Sequence, residues 1–118
     1  MGRIFFTHID DAPLIKGAKT PLGQPRLRAS QFIGDDDIGP WVRVQSLEAN
    51  FDSPLHSHSN DELLYIIDGA ITIGGVTHGP GTVAFVEKDT KYGFRTGPNG
   101  VKFLNIQQGK YTVTLAGS

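Results

Sequence analysis

The chain has 118 residues, enough for one domain with a real core, and its 38% hydrophobic and 19% charged residues are ordinary for a soluble globular protein. A formal net charge of −1 leaves no basic footprint for nucleic acid. The lack of cysteine excludes disulfides and thiolate ligands, so any metal must be held by His, carboxylate or Tyr.

The pattern along the chain is β. Fifteen glycines and seven prolines punctuate it. No segment sustains a 3.6-residue apolar period, and short β-branched and aromatic runs recur between turn signals, as in an all-β sandwich or barrel. Arg3 to Ile9 reads as a first strand, closed by Asp10-Asp11-Ala12-Pro13. This opening is too short and too soon interrupted for a secretory signal, and no run is long enough to span a membrane, so a cytoplasmic protein is expected. Residues 13–25, with Pro13, Gly17, Pro21, Gly23 and Pro25, read as a loop or an arm against the barrel or a partner subunit.

Leu27 to Ile33 reads as a second strand. The turn at residues 34–40 carries Asp35-Asp36-Asp37 without the glycine and glutamate of a calcium loop, so it reads as a solvated acidic turn. Trp41 to Leu47 alternates. If Trp41, Arg43, Gln45 and Leu47 face inward, Trp41 and Arg43 line a pocket. The competing assignment, slightly preferred, makes Val42 and Val44 the core.

Pro54-Leu55-His56-Ser57-His58-Ser59-Asn60-Asp61-Glu62 is the stretch with chemistry in it. In an extended strand His56 and His58 point to one face. Glu62 has the same parity and joins them if the chain stays roughly extended. Two imidazoles and a carboxylate with open positions form the ligand set of a non-haem iron site, and zinc accepts it too. The competing reading is a solvated His-rich turn. Leu63 to Asp68 is a buried strand stopped by Gly69, which puts Glu62 at the mouth of a core strand, where an unpaired carboxylate is costly.

Ala70 to Ile73, the Gly74-Gly75 hairpin turn and Val76 to His78 follow. After Gly79-Pro80-Gly81, Thr82 to Val86 reads as a further core strand and Glu87 to Lys91 as a polar turn. Tyr92 to Thr96 leads into a turn at Gly97-Pro98-Asn99-Gly100. Val101 to Gln107 and Lys110 to Leu115 finish the sheet. Asn105 and Gln107 share a face with Phe103, placed either to hydrogen-bond a substrate or to face water.

His56-x-His58-x-x-x-Glu62, six residues, then Gly69, resembles the first conserved motif of the cupin superfamily, with Asn50 where that family usually has Gly. The second motif runs Gly, five residues, Pro, one residue, Gly, two residues, His. Gly81 to Tyr92 keeps that length, with Glu87 for the Pro, Asp89 for the second Gly and Tyr92 for the His; Thr96 stands where an Asn is expected. The resemblance covers residues 40–107. It implies one all-β domain over residues 1–118, a double-stranded β-helix or jelly-roll barrel with its core over about residues 27–115, preceded by an N-terminal strand and arm at 1–26. In the family the two motifs face each other inside the barrel and hold one metal, and the family habit implies a homodimer.

The missing His leaves three outcomes open. A divalent ion (Fe, Mn, Ni or Zn) sits on His56, His58 and Glu62 with extra open positions; or the phenol of Tyr92 reaches the metal or substrate as a catalytic group; or the barrel only binds an organic ligand. Tyr92 also has the plain reading of a packed rim aromatic. His78 is expected at the surface, with replacement of the fourth ligand as its alternative, and His8 at an exposed or edge position. With Trp41, Arg43, Asn105 and Gln107 as pocket residues, the resemblance implies a metal-dependent enzyme acting on a small organic molecule, dioxygenase chemistry slightly ahead of lyase or isomerase chemistry. The alternative is a non-catalytic binding or sensor barrel, and the third reading a purely structural dimerisation barrel.

Overall fold

The computed structural model describes residues 2, 4, 6–12, 28–33, 39–109 and 112–115. The arm at 13–25 and the acidic turn Asp35–Asp37 lie outside them. Eight strands form: β1 (Arg28–Ile33), β2 (Trp41–Leu47), β3 (Asp52–His58), β4 (Glu62–Ile73), β5 (Val76–His78), β6 (Val83–Val86), β7 (Tyr92–Gln107) and β8 (Val113–Leu115). All pair antiparallel, in the order β1-β2-β7-β3-β8, with β4 against β5, β6 and β7. Among the described residues no helix is long and apolar enough to cross a membrane.

β4 and β7 are the long strands and organise the rest. Gly69 does not stop β4, and Gly97-Pro98-Asn99-Gly100 does not reverse β7. Gly69 pairs with Val101 and Ile71 with Thr96, so residues 97–100 swell out of register while both strands continue. Gly69 and Gly100 each hold φ 75°, and a side chain on Gly69 would strike the Gly100 carbonyl. A bulge of this kind bends paired strands and lets them pass from one part of the barrel to the next. The Gly74-Gly75 turn forms as expected, with φ 59° and 81°.

Two other expectations change. The described residues of the opening stretch are not in a strand: the His8 carbonyl accepts from the amides of Asp11 and Ala12, and His8 Nδ1 from the amide of Asp10. That local bonding offers the backbone an alternative to a ladder. β6 is a core strand on one face only, where Ala84 packs against the buried cluster. It pairs only with β4 among the described strands, and Val83 and Phe85 are 61% and 60% exposed.

The barrel interior is read directly from register. Across β2, β7 and β4 the inward rungs are Trp41–Gln107–Glu62, then Arg43–Asn105–Leu64, then Gln45–Phe103–Ile66, then Leu47–Val101–Gly69. Ionisable groups lie on the first two rungs, and the last two are apolar apart from Gln45. The buried cluster Leu47, Leu64, Ile66, Ile71, Val101 and Phe103 fills the apolar end. The alternation of β2 is thereby decided: the Trp41 and Arg43 face is the interior one. The preference for Val42 and Val44 as the core face is corrected, although Val44 is itself buried.

Candidate functional site

The two histidines are placed by β3. His56 pairs with Tyr92 on one side and Leu115 on the other, and His58 pairs with Val113. Both rings are buried, with centroids 4.9 Å apart and planes nearly perpendicular. The strands approach closely here: a side chain on Gly93 would lie 2.8 Å from the Ser53 carbonyl, so only glycine lets β3 and β7 meet beside the His56–Tyr92 pair.

Glu62 reaches the histidines by a different route from the extended one expected. The chain bends at Ser59–Asn60, and Glu62 opens β4. The bend is tied down on both sides. Ser59 and Thr112 exchange bonds, the Asn60 amide donates to the Gly109 carbonyl, and Asp61 accepts from the amide of Lys88. The amide of Asp89 donates to the His58 carbonyl at 2.7 Å. The stretch carrying the altered second motif thus still docks onto the first.

Glu62 is the hub. Tyr92 Oη donates to its Oε1 at 2.5 Å, while Asn105 Nδ2 and Gln107 Nε2 donate to its Oε2 at 3.0 and 2.6 Å. His58 Nδ1 stands 3.9 Å from Oε1. All of these side chains are buried. Burial lowers the pKa of His58 from its ordinary 6.5, the adjacent Glu62 opposes this, and His56 adds to it, so the ring favours its neutral form. His56 Nδ1 donates to the Pro54 carbonyl at 2.7 Å, which leaves Nε2 as the lone-pair nitrogen. On the inner face of β2 the Arg43 guanidinium lies 4.2 Å over the Trp41 ring. A cleft of about 280 Å³ opens at this end, with Glu62 and Gln107 in its lining beside Pro40, Leu63 and Phe85.

The donor chemistry suits a divalent ion. His56 is fixed in one tautomer by a backbone carbonyl, the usual support for a metal-bound imidazole. His58 Nδ1 and Glu62 Oε1 are close enough to share an ion at about 2.1 Å from each. The arrangement is less complete. Both oxygens of Glu62 are engaged by three donors, and among the described residues no three His or acid side chains are assembled into a metal-binding group.

No family model matches the sequence, and no curated protein matches it. Solved structures do. The polyketide cyclase RemF from Streptomyces resistomycificus matches with a TM-score of 0.73 and 20% identity, over 97% of this chain and 86% of that one. An RmlC-like cupin protein from Ralstonia eutropha matches with a TM-score of 0.75 and 16% identity, over 92% and 71%. The chain has the cupin fold. A third match, the DMSP lyase DddQ from Ruegeria pomeroyi, has a TM-score of 0.65 and 18% identity, over 89% and 61%.

Within the cupin barrel the structure brings together His56, His58, Glu62, Tyr92, Asn105 and Gln107. Asn105 and Gln107 are buried rather than facing water, their amide nitrogens donate to Glu62, and Gln107 also lines the cleft. His78 pairs with Ile71 on the β4–β5 hairpin, at the opposite end of β4 from Glu62. His8 is exposed beside Asp10. Sequence reasoning missed Thr96. Its hydroxyl donates to the Glu48 carbonyl at 2.5 Å and accepts from the Phe51 amide at 2.7 Å, fastening the β2–β3 connection to β7. Two departures from the cupin motifs also find their explanation. Asn50 and Asp89 replace glycines and hold φ 54° and 62°, the left-handed region that Asn and Asp tolerate best after glycine.

Proposed function

We propose that this chain is a cupin enzyme that moves a proton on a small organic molecule bound inside the barrel, with Glu62 as the base. The observation that carries the reading is the buried carboxylate with its two oxygens treated differently. Oε2 is held by two amides and Oε1 by one phenol. The amides fix the position of the carboxylate; the phenol can exchange. A substrate C–H or O–H that displaces Tyr92 meets Oε1, Glu62 takes its proton, and the released phenol can donate to the oxygen where negative charge develops. His58, neutral and beside Oε1, can relay the proton. Similarity in fold to a polyketide cyclase and a DMSP lyase supports small-molecule chemistry as a class and names no substrate.

The test is solvent deuterium exchange. A panel of β-diketones and β-hydroxy acids is incubated with the protein in D2O and followed by NMR. Exchange next to a carbonyl that drops at least 100-fold in Glu62→Gln supports the reading. No exchange across the panel counts against it and favours the non-catalytic barrel.

A second reading is favoured by the Pro54–His56 bond: His56, His58 and Glu62 hold Fe, Mn, Ni or Zn. Such an ion would supply Lewis-acid chemistry or, as iron, dioxygenase chemistry. Metal analysis of protein purified without a His tag tests it. Content that is unchanged in His56→Ala rejects the ligand set. The proposed assembly is a cytoplasmic homodimer, its contact the apolar outer strip of Leu63, Tyr65, Val83 and Phe85, all exposed.

A further inference from the structure

We infer that the cleft beside Glu62 is a binding site for a small apolar amine, taken as its ammonium ion, with Asp61 as the counter-charge. Two independent observations lead to it, and neither requires Glu62 to react. The first is shape. Leu63 pairs with Phe85 across β4–β6 and with Ile106 across β4–β7, so these three side chains lie next to one another. They have the opposite parity to Glu62 and Gln107, which puts them on the outer face of the sheet, and Leu63 and Phe85 are exposed there. Pro40, Asp61 and Gln108 stand just beyond the ends of β2, β4 and β7. All six line the cleft of about 280 Å³, with Glu62 and Gln107 between them. Ligand pockets run at about 300–1,000 Å³, so this one suits a one-ring molecule whose body lies on Leu63, Phe85 and Ile106.

The second observation is the character of the polar lining. It holds two carboxylates, Asp61 and Glu62, and no Arg, Lys or His. Asp61 Oδ1 accepts from the Lys88 amide at 2.8 Å, and among the described residues no ion pair includes Asp61. A carboxylate offers about four lone-pair sites, so that one bond leaves room for a further donor. Gln107 adds an acceptor: its Nε2 is committed to Glu62, and its buried Oε1 has no hydrogen-bond partner among the described residues. A buried acceptor without a donor is uncommon and unfavourable. The lining therefore presents negative charge and acceptors around an apolar floor. An anion is repelled there and a neutral alcohol gains a hydrogen bond. An ammonium ion gains hydrogen bonds and Coulomb attraction together, and the Phe85 ring in the same lining attracts a cation as well.

Benzylamine, benzyl alcohol and benzoate share a ring and differ in charge. Each is titrated by calorimetry at neutral pH into the protein in the assembly state it adopts, and the backbone amide shifts of Leu63, Ile106 and Gln107 locate the site. The expected result is saturable binding of benzylamine with shifts at those amides, at least tenfold weaker binding of the alcohol, and none of benzoate. Asp61→Asn keeps an oxygen for the Lys88 amide and removes the charge, so it should weaken benzylamine at least fivefold. Phe85→Ala, at an exposed position, should weaken it at least threefold, and a cooperative thermal melt of each variant shows that it folds. Alcohol or benzoate that binds as well as the amine, an Asp61→Asn that binds like the parent, shifts confined to other residues, or no saturable binding each overturn the inference. A dimer that seals Leu63 and Phe85 away shows as no binding. Failure here is separable from failure of the proton-transfer reading: amines can bind without deuterium exchange, and exchange can occur on diketones without amine binding.

Discussion

Tyr92→Phe removes one oxygen and keeps the ring. The aromatic contacts survive: His56 at 4.7 Å, His58 at 6.0 Å and Phe94 at 6.5 Å between centroids. What is lost is a buried bond of 2.5 Å to a carboxylate oxygen. Bonds to charged groups contribute about 1.5–3 kcal/mol, and a buried acceptor deprived of its donor keeps its desolvation cost. Glu62 still has Asn105 and Gln107 on Oε2, which keeps the loss at about 2 kcal/mol rather than the 3–5 of an abandoned buried charge. For a chain of this size that corresponds to a fall in Tm of roughly 6–10 °C. Urea unfolding followed by Trp41 fluorescence measures it. A double-mutant cycle with Glu62→Gln assigns the energy to the pair, with an expected coupling of about 1–3 kcal/mol. A loss below about 0.5 kcal/mol, or a coupling near zero, would show that phenol and carboxylate are neighbours without a bond, and the proposed exchange at Oε1 would go with it.

Three further outcomes are expected. Thr96→Val keeps the shape of a side chain that is 2% exposed but strands the Glu48 carbonyl and the Phe51 amide, so stability falls by about 2–3 kcal/mol with the site otherwise intact; a change under 1 kcal/mol refutes the fastening role. His58 has a folded pKa below its ordinary 6.5, so the unfolded chain takes up the proton first as pH falls. Its contribution is fully present above pH 6.5 and lost as pH drops from there through the folded value, at up to about 1.4 kcal/mol per pH unit, and His58→Asn should flatten that part of a stability–pH curve. Phe85→Glu puts a charge into the outer strip and should convert a dimer to a monomer by light scattering; a parent chain that is already monomeric refutes the proposed contact.

The barrel was legible because register and periodicity are local facts. Alternation marked β2, the Gly74-Gly75 pair marked its hairpin, and the spacing of His56 and His58 put both rings on one face. Gly69 and Gly97–Gly100 misled because the same residue that ends a strand also bends one. The difference lies in what the opposite strand is doing, and one strand's sequence does not contain it. Glu62 was found by parity but arrives by a bend pinned by Lys88, Asp89, Gly109 and Thr112, which are all distant in the chain. The role of Asn105 and Gln107 was half legible. Their shared face was readable, while their common acceptor was 43 and 45 residues away.

Tyr92 and Gln107 are the first and last residues of one strand, yet both end on the same carboxylate. The strand can deliver them there only after it has bent and found β4 along both halves. The cluster around Glu62 is thus a late product of folding: no hairpin or half-barrel cut from the chain carries all of its members. A nascent polypeptide emerging from the ribosome lacks this cluster until residue 107 has joined the sheet, and a ligand that engages Glu62 would serve as a reporter of closure.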